Sequence, residues 1–205
     1  MDRGSSPTGV NEVGKFLGRA TAAALVLAVA SPAAAQSYSD GFEFIKAVKD
    51  HDGNKATDLL NKPGTTVVNA RDGSGDTALH IVTRNHDGTW LAFLLSKGAR
   101  PDVQNGRGET PLSLAAQLGW TDGASILLSH GAGVDVPDSR GETPLILAVE
   151  SHSVPMVRLL LANGANPNKT DHVAGYSALD YARQDAHDQA IARLLEAKAG
   201  GARKP

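Results

Sequence analysis

Apolar positions in this chain fall in short clusters separated by polar, glycine-bearing stretches. Trp90, Leu91, Phe93, Leu94 and Leu95 form one cluster, Ile126, Leu127 and Leu128 a second, Val157, Leu159, Leu160 and Leu161 a third, and Ile191, Leu194 and Leu195 a fourth. Each closes a segment whose spacing is helical rather than alternating. A shorter apolar segment precedes each cluster, clearest at 111–118, PLSLAAQL. The pattern predicts pairs of short helices. Neither member is long enough to be stable alone, so the pairs must stack and share a core. Phe42, Phe44, Ile45 and Val48, then Ala56, Leu59 and Leu60, predict a further pair on the N-terminal side.

The pairs repeat with a fixed period. Asp76-Thr77-Ala78-Leu79-His80 recurs as Glu109-Thr110-Pro111-Leu112-Ser113 and as Glu142-Thr143-Pro144-Leu145-Ile146, with a weaker copy at Tyr176-Ser177-Ala178-Leu179-Asp180; the steps from Thr77 are 33, 33 and 34 residues. A second marker runs in phase with the first, at Gly98-Ala99, Gly131-Ala132 and Gly164-Ala165. Two independent markers with one period identify a repeat array, in which each unit contacts its neighbours.

Each marker has a physical role. Thr77, Thr110 and Thr143 are placed to cap a helix N-terminus by accepting a free N–H of the first turn. Pro111 and Pro144 follow at the first helical position, where a missing N–H costs nothing. Gly75, Gly108, Gly141 and Gly175 fit turn positions requiring positive φ. Gly98, Gly131 and Gly164 read as C-caps of the second helix. The link between the two helices carries His86, Gly119 and His152 in successive units, and His tolerates the left-handed region better than most residues.

The order D-x-x-G-x-T-P-L-H-x-A, then helix, then L-L-x-x-G-A, resembles the ankyrin repeat, most closely at Asp138-Ser139-Arg140-Gly141-Glu142-Thr143-Pro144-Leu145. The resemblance covers about 70–198. It implies an all-α, right-handed solenoid of about five helix-turn-helix units with short hairpin-like loops. The expected divisions are an N-terminal capping unit at 36–69, full repeats at 70–103, 104–136 and 137–169, a C-terminal capping unit at 170–198, and a tail at 199–205. Atypical end units keep such an array soluble.

The N-terminus reads differently. Lys15 and Arg19 precede an apolar run over 20–30, ATAAALVLAVA, and then Ser31-Pro32-Ala33-Ala34-Ala35-Gln36. A basic region, a short apolar core and a small-x-small site make an export signal, with Pro32 breaking the helix and cleavage expected after Ala35. The apolar run is about half of the roughly 20 residues that a membrane anchor needs. The expectation is a periplasmic or secreted chain whose mature part does not insert into a membrane.

Composition narrows the chemistry. Aromatic residues make up only 4% of the 205, so Leu, Ala, Val and Ile must build the core. The net charge of −2 and the absence of like-charge runs give no basic footprint for nucleic acid. There is no cysteine, hence no disulfide, thiolate ligand or cysteine nucleophile. Seven histidines are present, none paired at helical metal-binding spacing. His80 stands at the family's structural position, and His86 and His152 share a repeat position. No catalytic, cofactor or metal site is expected.

The resemblance implies contact with a protein partner through the hairpin tips and the exposed face of the first helices. Mapped by repeat phase, the candidates are Asp76, Arg107, Glu109, Arg140, Glu142 and Tyr176 at the tips, and Arg84, Gln117, Leu118 and Glu150 on the helix face, with Trp120 as a possible aromatic anchor or a packing residue between units. Arg107 and Arg140 recur at one repeat position, and Glu109 and Glu142 at another. They form either a charged stripe for a partner or turn charges that satisfy each other. The function expected is a non-catalytic, monomeric interaction module. The alternatives are a small-ligand binder or accessory subunit of a periplasmic enzyme, and a secreted effector directed at a host.

Overall fold

A computed structural model of the chain describes residues 32–185 and 188–201. The apolar segment at 20–30, with the basic residues before it, lies outside the described residues. The described residues all fall in one compact unit. Its described part holds ten α-helices and no strand, apart from the isolated antiparallel bridges Arg71–Thr77 and Thr170–Ser177.

The helices follow one another as antiparallel pairs: α1 (Pro32–Lys49) with α2 (Gly53–Leu60), α3 (Ala78–Arg84) with α4 (Gly88–Ser96), α5 (Pro111–Gln117) with α6 (Thr121–Ser129), α7 (Pro144–Glu150) with α8 (Val154–Ala162), and α9 (Ala178–Gln184) with α10 (Gln189–Gly201). A 3-10 turn, Val67–Asn69, precedes the first hairpin tip. Each pair packs on the next, first helix on first helix throughout and second helix on second from α4 onward. The all-α solenoid implied by the repeat pattern is the fold.

The caps take the roles their sequence assigns. Thr110 accepts from the Ser113 N–H at 3.1 Å while the Ser113 hydroxyl accepts from the Thr110 N–H at 2.8 Å, a reciprocal capping box. Ser177 and Asp180 repeat it in the last pair. His80, fully buried, does the same by its ring: Nδ1 accepts the Thr77 N–H at 3.2 Å, and Nε2 lies 2.9 Å from the Glu109 carbonyl of the next tip. Nδ1 as acceptor and Nε2 as donor define a neutral ring, and burial lowers its pKa accordingly.

The links between paired helices turn through the left-handed region at His51, His86, Gly119 and His152, with φ of 57°, 53°, 64° and 53°. The core runs unbroken through the stack. Phe44, Leu79, Leu91, Leu94, Leu112, Leu127, Leu145, Ile146, Met156, Leu160, Ile191 and Leu195 have under 2% of their surface exposed. Trp90, which its apolar phase places in the core, is only partly buried; it lies at the edge, against Gly53 and edge-on to Phe93.

The N-terminal pair departs from the others. Its first helix has 18 residues where α3, α5, α7 and α9 have seven. Among the described residues this helix begins at Pro32. Where the other units build a hairpin tip, α1 continues as helix.

Candidate functional site

Each tip is organised by one Asp or Asn. The Asp72 carboxylate accepts the Ser74 and Asp76 N–H groups at 2.9 and 3.0 Å, Asn105 Oδ1 those of Arg107 and Glu109 at 2.9 and 3.1 Å, and Asp138 those of Arg140 and Glu142 at 2.8 and 2.9 Å. Asp171, with one residue more to hold, takes the N–H groups of Val173, Ala174, Gly175 and Tyr176 and the Tyr181 hydroxyl. Burial alone would raise its pKa; these donors hold it at about 2. The same donated bond and burial push Tyr181 up to about 12.

The tips are stitched to one another by backbone. Gly106 donates to the Ser74 carbonyl at 2.8 Å, Ser139 to Arg107 at 3.2 Å, and His172 to Arg140 at 2.7 Å. Side chains add a parallel line: Arg71 Nη1 donates to the Gln104 carbonyl at 2.9 Å, and Gln104 Nε2 to the Pro137 carbonyl at 2.8 Å. This close approach explains the tip glycines. A Cβ at Gly108 would stand 2.5 Å from the Ser139 nitrogen, on a residue already at φ +76°.

The candidate residues divide on this frame. Arg107 and Arg140 are exposed, with 65% and 58% of their side chains accessible. Each pairs within its own tip: Arg107 Nη2 with Glu109 at 2.7 Å, and Arg140 Nη2 with Glu142. The charged stripe is therefore internally compensated. Asp76 is withdrawn from the surface, at 6% exposure, because Arg84 grips it through two hydrogen bonds of 2.6 and 2.9 Å and Asn105 Nδ2 adds a third at 2.8 Å. Glu142 is likewise buried, at 4% exposure, and Glu109 is half-buried. As contact residues these three acids are a correction to the repeat-phase mapping, which places the position at the tip and does not see the neighbouring unit that covers it.

The helix-face residues Arg84, Gln117, Leu118 and Glu150 are exposed, as is Tyr176 at the last tip. Trp120 is half-buried, stacked on the ring of His86 from the preceding unit with centroids 5.1 Å apart. Its ring is a bridge between units. His152 turns instead to the last unit, with Nδ1 3.0 Å from the buried Asp188, and this bond raises its pKa. His86 and His152 do not meet. His152, Asp185 and Asp188 offer ligand atoms within 4.8 Å of one another, but the Asp188 carboxylate is already bonded to the His152 ring.

The electrostatics differ sharply along the tips. Arg84 ends α3 and neutralises Asp76, while the same helix position holds Gln117 in the next unit and Glu150 in the one after. Glu142 thus faces a like charge. Burial and then Glu150 raise it, against Arg140, to about 7. Glu150 is raised too, by burial and by Asp138 and Asp171.

Paired helices, tips joined edge to edge and a core shared along the stack define a repeat protein whose outward-facing tips form one continuous strip. Residues 85–171 match the family model for ankyrin repeats in three copies. No curated protein matches the chain. Ankyrin repeats are in general protein–protein interaction modules. No helix among the described residues is long and apolar enough to cross a membrane.

Sequence reasoning missed the organising role of Asp72, Asn105, Asp138 and Asp171. The signal was present, as an Asp or Asn at one repeat position, and its short side chain is the type that captures backbone N–H groups two to four residues on.

Proposed function

We propose that the chain is an exported, non-catalytic module that binds a protein through its tips and the exposed face of its first helices. The observation that supports this most is the strip itself. Three backbone hydrogen bonds fix four tips in one register, and they present Arg107 and Arg140 on adjacent tips, with Leu118 exposed at 45% in the unit of Arg107 and Tyr176 at 40% on the last tip. A surface fixed before binding loses little ordering entropy on contact, and exposed Arg and Tyr are the residue types that carry hot spots. The Arg–Glu pairs are exchangeable: a partner carboxylate can take over the outer face of each guanidinium, which has donors to spare.

The test is capture from a periplasmic extract by residues 36–205, beside an Arg107→Ala/Arg140→Ala variant whose fold is checked by circular dichroism. A partner held by the first and lost by the second is the expected result. Equal retention by both rejects the tip surface. A folded bait that retains nothing rejects the protein-binding reading.

A further inference from the structure

The tip ladder has an unfinished edge. Gly106, Ser139 and His172 each donate a backbone N–H to the tip before them. Their counterpart on the first tip, Gly73, has no acceptor for its N–H among the described residues. The cause is α1, which stays helical where a tip would form. In place of that tip an open groove of about 810 Å³ separates α1 from the 66–73 segment. Phe42, Ile45, Val67 and Ala70 give it an apolar floor, and Phe42 is 64% exposed.

Charge defines what the groove lacks. Lys49 and Arg84 each end their helix, two residues before a left-handed histidine. Arg84 grips the acid of its own tip, Asp76. The residue matching Asp76 in the first unit is Gly41, so Lys49 reaches across to Asp72 at 2.6 Å. Lys46 and Arg71 also line the groove, together with the carboxylate of Asp50; Lys46 forms no salt bridge among the described residues but its charge acts on Glu43, and Arg71 is hydrogen-bonded to the Gln104 carbonyl.

We propose that this groove receives an acidic turn segment of a partner protein, seated as the missing tip. One of its carbonyls accepts the Gly73 N–H, extending the ladder by strand-edge addition. A carboxylate meets Lys46 and Lys49, as Asp76 meets Arg84. An apolar side chain covers Phe42. The proposal rests on reading the array as a protein-binding module. A second copy of this chain fits less well, because the exposed last tip carries Tyr176 where the first carries Asp76 and so has no carboxylate at that position.

The probe is the blocked peptide of residues 68–77 of this chain, VNARDGSGDT, with VNARNGSGNT as its counterpart without carboxylates. Either is titrated into the ¹⁵N-labelled full chain and followed by amide shifts. The acidic peptide should give a saturable shift at Gly73 and along α1. Binding should weaken about tenfold for the peptide without carboxylates, and about tenfold for the acidic peptide with Lys46→Glu, as for loss of a charge-assisted hydrogen bond. Circular dichroism confirms that the variant is folded. A dispersed spectrum in which Gly73 does not move overturns the proposal. Shifts centred on Arg107 and Arg140 also overturn it, while leaving the tip-binding reading standing. A Gly73 shift that follows chain concentration without peptide assigns the groove to a second copy and overturns it as well. Capture of a partner by the tips with no groove binding separates the two failures.

Discussion

Glu142 is buried beside Glu150 and near Asp138 and Asp171, with Arg140 as the nearby cation. Its carboxyl, raised to about 7, binds a proton more tightly in the folded chain than in the unfolded one. The stability this confers is fully present below the ordinary glutamate range near 4.5 and is lost as pH rises through 7. Glu142→Gln removes the ionisation while keeping the shape. The variant should match the parent near pH 5 and exceed it by about 1–3 kcal/mol at pH 8, since one pKa unit is worth about 1.4 kcal/mol. Urea denaturation at the two values measures this, and an equal difference at both would reject the account. Asp76 shows the opposite solution to the same problem. Burial works against its charge, but Arg84 and Asn105 lower its pKa. The two acids occupy one repeat position, and a single residue eight places on, Arg84 or Glu150, decides their charge state.

At the scale of the element, the hairpin tip is built from backbone, and side chains only anchor it. Gly98 and Gly108 separate the two costs that a glycine can hide. Both have positive φ, +87° and +76°. A Cβ at Gly98 meets nothing within 4 Å, whereas one at Gly108 meets the Ser139 nitrogen at 2.5 Å. Gly98→Ala should cost about 1 kcal/mol, the conformational penalty alone. Gly108→Ala should cost about 2–4 kcal/mol, because the ladder to the next tip must also shift. Thermal unfolding of both variants compares them, and equal losses would show that the tips are less tightly joined than the hydrogen bonds indicate. The N-caps were readable in advance from Thr110 and Pro111, whereas the reciprocal bond from Ser113 appears only in the structure. The tip ladder was not, because its bonds join residues 32 positions apart through backbone groups that every residue carries.

At the scale of the molecule, the stack is closed differently at its two ends. The last pair keeps a tip and a capping box, while the first replaces its tip with the long helix α1. Cleavage after Ala35, which we propose for the exported chain, would cut within α1 and leave Gln36 as its first residue. Buried residues of α1 begin at Gly41 among the side chains described. N-terminal sequencing of exported material should therefore begin at Gln36. Residues 36–205 should melt within about 2 °C of the full chain, the shift expected for surface changes in a chain of this size. A larger loss would mean that residues before Gln36 support the fold.

The sequence by itself determined the units. A period of 33 with Thr caps, turn glycines and apolar clusters in phase leaves a stack of helical pairs as the way to bury those clusters, since no pair can do so alone. It also placed Arg107, Arg140, Leu118 and Tyr176 on the outer surface, because repeat phase maps directly onto position. Only the tertiary structure decided which of the repeated charges are free. Asp76 and Glu142 share a phase with exposed tip residues, yet the adjoining tip covers them, and Trp120 is drawn against His86 of another unit. It also decided that the first unit lacks a tip, leaving Gly73 at an open edge. Periodicity fixes what each position does within its own unit. Burial, charge pairing and edges depend on the neighbouring unit, and those are set by contacts a whole repeat away.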